Sequence, residues 1–400
     1  MNAILLNNKK RPKGLPAEYT EVEWIKSTGT QYIDTGYTPN NNTRVVCTIS
    51  YNEISNSTSI AFGAAVAYND RAFESYIYNS KAEFNFNSSY KYGSVNLSAN
   101  TIYKIDADKN VFKLYNSSDT LIETLTTTDS TFTAPYTLFL FGLHRPTIAY
   151  GKTAIYGHVY IYDNDVLASE LVPCVRNSDN VAGMYDLVQK EFRTNGGTGT
   201  FVFGPYVMPE VPSEYQRVEY IEGTGTQYIN LTQTTPAKFN WDADVMISSA
   251  NGVLFGGYIF NGSYQVYLEL WNKWYYPGYT SSYIAYNGSQ STRYRYYYRW
   301  NGSSYDTGRD GISGTTTLES VENAQIAIFS FINADGTTRT GSNIAKAKIY
   351  SLRFFSQGTL WKWFVPCYRI SDGVIGLYDV VEKHFYTNDG TGTFTKGPDA

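Results

Sequence analysis

Leu15–Ile33 reads LPAEYTEVEWIKSTGTQYI, and Val211–Ile229 reads VPSEYQRVEYIEGTGTQYI. The match returns near the far ends. LVPCVRNSDNVAGMYDLVQKEFRTNGGTGTFVFGP over Leu171–Pro205 is repeated as FVPCYRISDGVIGLYDVVEKHFYTNDGTGTFTKGP over Phe364–Pro398. A repeat this long exceeds the roughly 20–50-residue period of a solenoid unit and is the size of a whole domain. The sequence therefore describes two similar domains in tandem. An N-terminal arm covers 1–14, the first domain 15–205, a short proline-punctuated linker 206–210, and the second domain 211–400.

Composition sets the class. In 400 residues, 42% are hydrophobic, enough for two cores without disulfides or metals. Only 17% are charged, whereas aromatics reach 16% and tyrosine alone contributes 38 residues. β-Branched and aromatic residues dominate, as expected of strands. A net charge of −4 argues against an electrostatic grip on nucleic acid, and no stretch is long and apolar enough to span a membrane as a helix. The apolar run Ala3–Leu6 precedes the basic residues instead of following them, the reverse of a secretory leader. Three cysteines are too few for a disulfide framework and read as buried small side chains.

Within each domain the dominant period is two. Val45, Cys47, Ile49 and Tyr51 share one strand face; Phe239, Trp241, Ala243, Val245 and Ile247 share one at the equivalent place in the second copy. Thr101–Leu125 reads as three strands joined by turns at Asp108–Asn110 and Asn116–Asp119. Many short strands with frequent turn signals predict an all-β architecture of packed sheets.

Several segments resemble the concanavalin A-like lectin/glucanase superfamily, in its laminin-G-like jelly-roll branch. STGTQYIDTGY (Ser27–Tyr37) and GTGTQYIN (Gly223–Asn230) are similar to its opening strand, and the Tyr103–Tyr115 hairpin to its central strand pair. VYIYDNDVLASELVP (Val159–Pro173) and LRFFSQGTLWKWFVP (Leu352–Pro366) are similar to its late strand. The closing blocks resemble a subgroup frequent in phage structural proteins and gut-bacterial surface proteins. The resemblance implies two tandem concanavalin A-like jelly-roll β-sandwiches. It leaves function open, because the fold serves lectins, hydrolases and spacers.

The glucanases of that superfamily carry an E-x-D-x-x-E-like carboxylate set on one strand, and no such spacing occurs here. Glu21, Glu23 and Glu219 precede the opening strand and read as solvated or turn-supporting. The three histidines, His144, His158 and His384, share no position between the copies. No enzyme is expected and no cofactor is required. Calcium, held by some laminin-G-like domains, would have Asp106/Asp108, Asp163/Asp165 and Asp242/Asp244 as candidate pairs, each short of the oxygens calcium needs.

The aromatic stretch Trp271–Trp300 is the foremost candidate surface. Trp271, Trp274, Tyr275 and Tyr276 offer flat rings that stack on sugar faces. Alternation puts Arg293, Arg295, Tyr297 and Arg299 on one face and Tyr294, Tyr296, Tyr298 and Trp300 on the other. The same residues suit a core, a glycan surface, or a contact with another protein or a second copy of the chain. Lys9, Lys10, Arg11 and Lys13 make the N-terminal arm a candidate attachment peptide.

Surface chemistry of an extracellular kind without an export signal fits a phage virion protein, made in the host cytoplasm and released by lysis. The expected function is a structural component of the particle (capsid decoration, head fibre or tail part). It would be joined to other virion proteins through the arm and display two lectin-like domains to host-surface or mucosal glycans. A bacterial cell-surface adhesin or carbohydrate-binding module is the alternative, with a glycan hydrolase behind it.

Overall fold

The computed structural model describes residues 14–249, 251–258, 265–271, 274–277, 286–287, 291–300, 303–309, 312–316, 322–338 and 344–400. Lys9, Lys10, Arg11 and Lys13 of the arm lie outside them. The described residues contain strands and no helix, and every strand pairing within the sheets is antiparallel. The chain divides into two compact units, the first ending at Val207 and the second opening at Met208. The first unit thus extends into the expected linker. Tyr206 is buried beside Phe203 and bridges Val22, and the Val207 N–H bonds the Glu21 carbonyl at 3.0 Å. An aromatic side chain and two paired backbone groups outweigh the chain-breaking prolines on either side.

The first unit has a larger sheet ordered Leu121–Thr126, Val111–Tyr115, Ile102–Asp108, Thr43–Tyr51, Thr153–Asp163, Val166–Arg176, Ala182–Asp186, Glu191–Arg193. Its smaller sheet is ordered Ile33–Asp34, Phe139–Leu140, Ile60–Ala64, Ala72–Tyr78, Lys81–Asn87, Ser89–Tyr92. The second unit repeats this plan. Its larger sheet runs Ile312–Thr316, Tyr305–Arg309, Arg293–Trp300, Phe239–Ile247, Ala347–Ser356, Thr359–Arg369, Ile375–Asp379, His384–Tyr386. Its smaller sheet runs Ile229–Thr234, Gln325–Ile328, Asn251–Tyr258, Gln265–Trp271, Trp274–Pro277, Tyr286–Asn287.

In each unit the two sheets face one another across an apolar layer, a β-sandwich. Val45, Cys47, Ile49 and Tyr51 are buried, as are Phe239, Trp241, Ala243, Val245 and Ile247, so the period-two faces are the core faces. Rings meet between the sheets: Phe84 with Phe112 at 5.4 Å, Trp241 with Phe255 at 5.1 Å, and Phe255 with Phe354 at 5.3 Å between centroids. The three cysteines are buried and unpaired; burial pushes the Cys47 and Cys367 thiols up to about 12.

The blocks most alike between the copies hold each sandwich shut. In the first unit Gln31 Oε1 accepts the Thr28 N–H at 2.7 Å, while its Nε2 donates to the Thr198 carbonyl at 3.0 Å. Asn195 Oδ1 accepts the Tyr32 N–H, and the Gly196 N–H returns to the Tyr32 carbonyl at 3.0 Å. In the second unit Gln227 receives Thr224 N–H at 2.8 Å and donates to the Thr393 carbonyl at 3.1 Å. There Asn388 Oδ1 accepts the Tyr228 N–H at 3.0 Å and the Asp389 N–H returns to the Tyr228 carbonyl at 2.8 Å. These amides satisfy backbone groups of a segment that lies between strands and would otherwise be buried without partners.

The closing block can approach this closely only because it lacks a Cβ at one position. A Cβ on Gly197 would collide with the Thr30 carbonyl oxygen, and one on Gly390 with that of Thr226. Gly390→Ala is therefore expected to lower the stability of the second unit by about 1–3 kcal/mol. Urea unfolding followed by the fluorescence of the second unit's tryptophans measures this, and an unshifted midpoint would remove the close approach as a constraint.

Candidate functional site

The outer face of the first unit's smaller sheet is the candidate site. Ala72–Tyr78 and Lys81–Asn87 form a hairpin whose two-residue turn is Asn79–Ser80, both at positive φ (49° and 64°), the geometry a right-twisted hairpin requires. Phe73, Phe84 and Phe86 pack together on the core side of this hairpin. The period of two then turns Glu74, Tyr76, Tyr78, Glu83 and Asn85 to the opposite face. Ser89–Tyr92 adds Tyr90 and Tyr92 to that face, since Tyr92 pairs with Glu83 and Tyr90 with Asn85.

The floor is polar and closed. Glu74, Glu83 and Asn85 are at most 1% exposed. Arg145, brought in from a distant segment, grips Glu74 with both forks, Nε to Oε1 at 2.7 Å and Nη2 to Oε2. Asn85 Nδ2 donates to Glu74 Oε2 at 3.2 Å and to the Tyr76 hydroxyl at 3.3 Å, and that hydroxyl donates to Glu83 Oε1 at 2.7 Å. Asn85 Oδ1 remains a buried acceptor. Burial raises the Glu83 carboxyl above its usual range, against the lowering effect of hydrogen bonds from Tyr76 and Tyr68. Burial likewise raises the Tyr76 phenol, reinforced by its bond to Glu83.

The rim is aromatic and open. Tyr68, Tyr78, Tyr90 and Tyr92 are between 39% and 44% exposed, yet they touch. Tyr78 stacks on Tyr92 at 5.3 Å, Tyr90 meets Tyr92 edge-on at 5.2 Å, and Tyr68 leans on Tyr90 at 5.3 Å. The Tyr68 and Tyr92 hydroxyls lie 3.1 Å apart. Exposed rings in contiguous contact form the kind of surface patch that marks an interaction site. None of these residues was singled out in the sequence. The signal was present in AFESYIY and KAEFNFN, where polar residues alternate in phase on two strands. A carboxylate motif spaced along one strand cannot reveal a pair divided between two.

The second unit places the sequence-predicted aromatics at the same station. Its Gln265–Trp271 and Trp274–Pro277 strands occupy the sheet positions of Ala72–Tyr78 and Lys81–Asn87. Trp271 pairs with Trp274 at the hairpin tip, as Tyr78 pairs with Lys81. Tyr275 pairs with Leu270, and Tyr276 with Glu269. The Tyr76–Glu83 rung of the first unit thus recurs with its partners exchanged, as Glu269–Tyr276. The side chains of Trp271, Trp274, Tyr275 and Tyr276 lie outside the described residues.

Arg293, Arg295, Tyr297 and Arg299 are on the other sheet of that unit, on the face away from the core, while Tyr296 and Tyr298 are buried within it. Two carboxylates organise the arginines. Arg293 is bidentate on Asp244 at 2.7 and 2.8 Å and lies 3.8 Å over the Tyr350 ring. Arg299 bonds Asp242 at 2.7 Å from one side, and Arg353 bonds it from the other. Burial alone would raise the Asp242 carboxyl; Arg299, Arg353 and Arg295 outweigh it and hold the group below the usual range. The Asp242/Asp244 pair considered for calcium is therefore matched by arginine, Asp106 is bidentate with Arg44 at 2.8 Å, and Asp163 accepts from Asn40 at 3.1 Å. Among the described residues no group of three or more His, Cys, Asp or Glu is arranged to hold a metal.

Glu21 departs from the solvated role expected of it. It ends the Tyr19–Glu21 strand and is buried, its Oε1 3.4 Å from His158 Nε2, while His158 Nδ1 lies 2.9 Å from Glu170 Oε1. Pairing of that strand with Val166–Arg176 sets Glu21 opposite Cys174 and beside His158, covered by the neighbouring strands instead of facing solvent.

No protein-family model matches the sequence, and no curated protein is significantly similar to it. The structure is similar to laminin LG domains. Against domains LG4-5 of the mouse laminin α1 chain, identity is 13% over 87% of this chain and 93% of that one, with a TM-score of 0.29. Against the LG1-3 region of the laminin α2 chain, identity is 9% over 95% of this chain and 66% of that one, also with a TM-score of 0.29. The sheet order and the apolar layer between the two sheets of each unit define the sandwich.

Glu83 supplies a pH test. A carboxyl raised in the folded state favours folding below its unfolded pKa of about 4.3, and that contribution is lost as pH rises through the raised value. Glu83→Gln, which removes the charge and keeps the shape, should gain stability relative to wild type at neutral pH, and the gain should shrink on acidification. Denaturant titrations at neutral and mildly acidic pH check this; an equal difference at both would show that Glu83 titrates normally.

Proposed function

We propose that the chain is a non-enzymatic glycan-binding adhesion protein whose first unit binds sugar on the outer face of its smaller sheet. One observation carries the reading: four exposed tyrosines joined in a continuous chain of contacts stand over a buried Glu–Tyr–Asn network, gripped by the half-buried Arg145, on a single sheet face. Pyranose rings present flat C–H faces that stack on aromatic rings, and their hydroxyls seek the phenol and amide groups beside them. A purely apolar ligand would leave the tyrosine hydroxyls unpaired. A nucleic acid would require a basic track, which a chain of net charge −4 does not supply. Both buried carboxylates are engaged, Glu74 by Arg145 and Glu83 by Tyr76, which suits a rigid floor better than an acid–base pair.

Tyr92 touches Tyr68, Tyr78 and Tyr90, so it is the residue to remove. Tyr92→Ala should weaken binding of the best oligosaccharide from a glycan array about tenfold or more, equivalent to roughly 1.4 kcal/mol, with unfolding midpoint unchanged. Arrays on which the wild-type chain captures no glycan, or on which Tyr92→Ala binds equally well, would refute the reading.

The setting proposed is a phage particle, with the domains on its surface. The resemblance of the closing blocks to phage structural proteins supports it, as does the basic arm Lys9, Lys10, Arg11 and Lys13 as an attachment to other virion proteins. Removing residues 1–14 should leave glycan binding intact and abolish incorporation into particles. Normal incorporation of the shortened chain would leave the cell-surface adhesin reading ahead.

A further inference from the structure

Lys362 is wholly buried, a position lysine almost never takes without a reason. It sits in the Thr359–Arg369 strand on the core side, in the same phase as Phe364, and Phe364 pairs with Asp379 in the next strand. Lys362 Nζ is 3.4 Å from Asp379 Oδ2, and the Asp379 side chain is also wholly buried. Glu382 Oε2 contacts the same Nζ, and the Tyr386 hydroxyl donates to Glu382 Oε2 at 2.8 Å. Trp361 and Tyr386 flank the amine, 4.9 and 5.6 Å from ring centroid to Nζ.

The first unit shows which part of this cluster the fold needs. Asp186, the counterpart of Asp379, accepts the N–H groups of Val188 and Gln189 at 2.9 and 3.0 Å and the Ser169 hydroxyl. Asp379 likewise accepts the N–H of Val381 at 3.0 Å and of Trp363 at 3.2 Å, both on Oδ1. An aspartate that holds a turn is thus common to both copies. Lysine, glutamate and tyrosine are particular to the second, where the first has Ser169, Gln189 and Arg193. A seryl hydroxyl satisfies the turn, so the buried amine and its second carboxylate are an addition that the fold does not require. Enclosing one cation and two anions carries a desolvation penalty that their mutual attraction repays only with excellent geometry.

We propose that Lys362 and Asp379 join in an intramolecular amide bond, with Glu382 as the proton carrier. A proton passes from the Lys362 ammonium to the Asp379 carboxylate, giving amine and acid. The amine nitrogen then attacks Asp379 Cγ. Charge gathers on Oδ1, where the N–H groups of Val381 and Trp363 already point. Glu382 takes a proton from the nitrogen and delivers it to Oδ2, which departs as water. One C–N bond forms, one C–O bond breaks, Glu382 returns to carboxylate, and no oxidant or co-reactant enters. Confinement of the groups on two adjacent strands supplies the proximity that the reaction lacks in solution. Burial raises the Asp379 carboxyl, favouring its acid form, while bonds from Lys362 and Tyr386 outweigh burial at Glu382 and hold it ionised.

Intact-mass spectrometry of the purified, folded full chain tests this. The expected mass is that of the sequence less one water, with digestion yielding a branched peptide that contains both Lys362 and Asp379. Lys362→Arg and Glu382→Gln should each restore the full mass. A wild-type chain at full mass would overturn the proposal. So would a missing water that maps to a succinimide at Asp372-Gly373 or Asp389-Gly390, with no branched peptide. Because the wild-type mass decides the matter alone, poor folding of a variant would not obscure the result.

Discussion

Each sandwich depends on a side-chain amide doing the work of a missing strand. Between Lys26 and Ile33 the chain leaves one sheet for the other, and its backbone groups have no ladder to join. Gln31 and Gln227 fill that gap from within, and Asn195 and Asn388 fill it from the closing block. The opening strands are thereby fixed to the last residues of their own unit. The Trp24–Lys26 strand, held this way, lies between Thr153–Asp163 and Val202–Phe203 and completes the larger sheet. Such contacts join residues more than a hundred positions apart, so they form at a high cost in chain entropy and need strong local satisfaction to persist. This explains why the two blocks stay recognisably alike while the strands between them differ.

With closure assigned to those blocks, the outer faces are free to vary. The first unit covers the outer face of its smaller sheet with glutamate, asparagine and tyrosine. The second covers the outer face of its larger sheet with an arginine–aspartate lattice in which Asp242 and Asp244 divide three arginines between them. Both are charged networks on an outer sheet face, and among the described residues the first carries a ridge of exposed rings above it. The frame is shared, while the residues on its outer faces are chosen strand by strand.

The sequence was most legible where one strand is enough. Alternation located the core faces of Thr43–Tyr51 and Phe239–Ile247, and it separated Tyr296 and Tyr298 from the arginines around them. Residues 101–125 resolved into three strands because Lys109 and Asp119 mark turns, both at positive φ. Register between strands was not legible, and the sites are made by register. Glu74 and Glu83 are separated by a turn in the chain and meet through Asn85 and Tyr76. Arg145 arrives from beyond six further strands of sequence. Glu21 looked solvated for the same reason: three charged or polar letters before a strand say nothing about His158, which reaches it across the sheet. Lys362 was hidden by its neighbours, since a lysine between two tryptophans in an alternating strand reads as the solvent side.

The closure of each unit also brings its two ends side by side. In the second, the Ala400 N–H bonds the Arg217 carbonyl at 3.0 Å; in the first, Val207 bonds Glu21. A module whose entrance and exit are neighbours can be copied in tandem, excised or inserted into a host loop without unthreading its core. The same proximity permits circular permutation. A short bridge from Ala400 back to Val211, with new termini opened in the exposed turn at Asp372-Gly373, would preserve every strand pairing described for that unit. Growth by duplication is thus a property of the topology, and the repeat with which the sequence opens is its record.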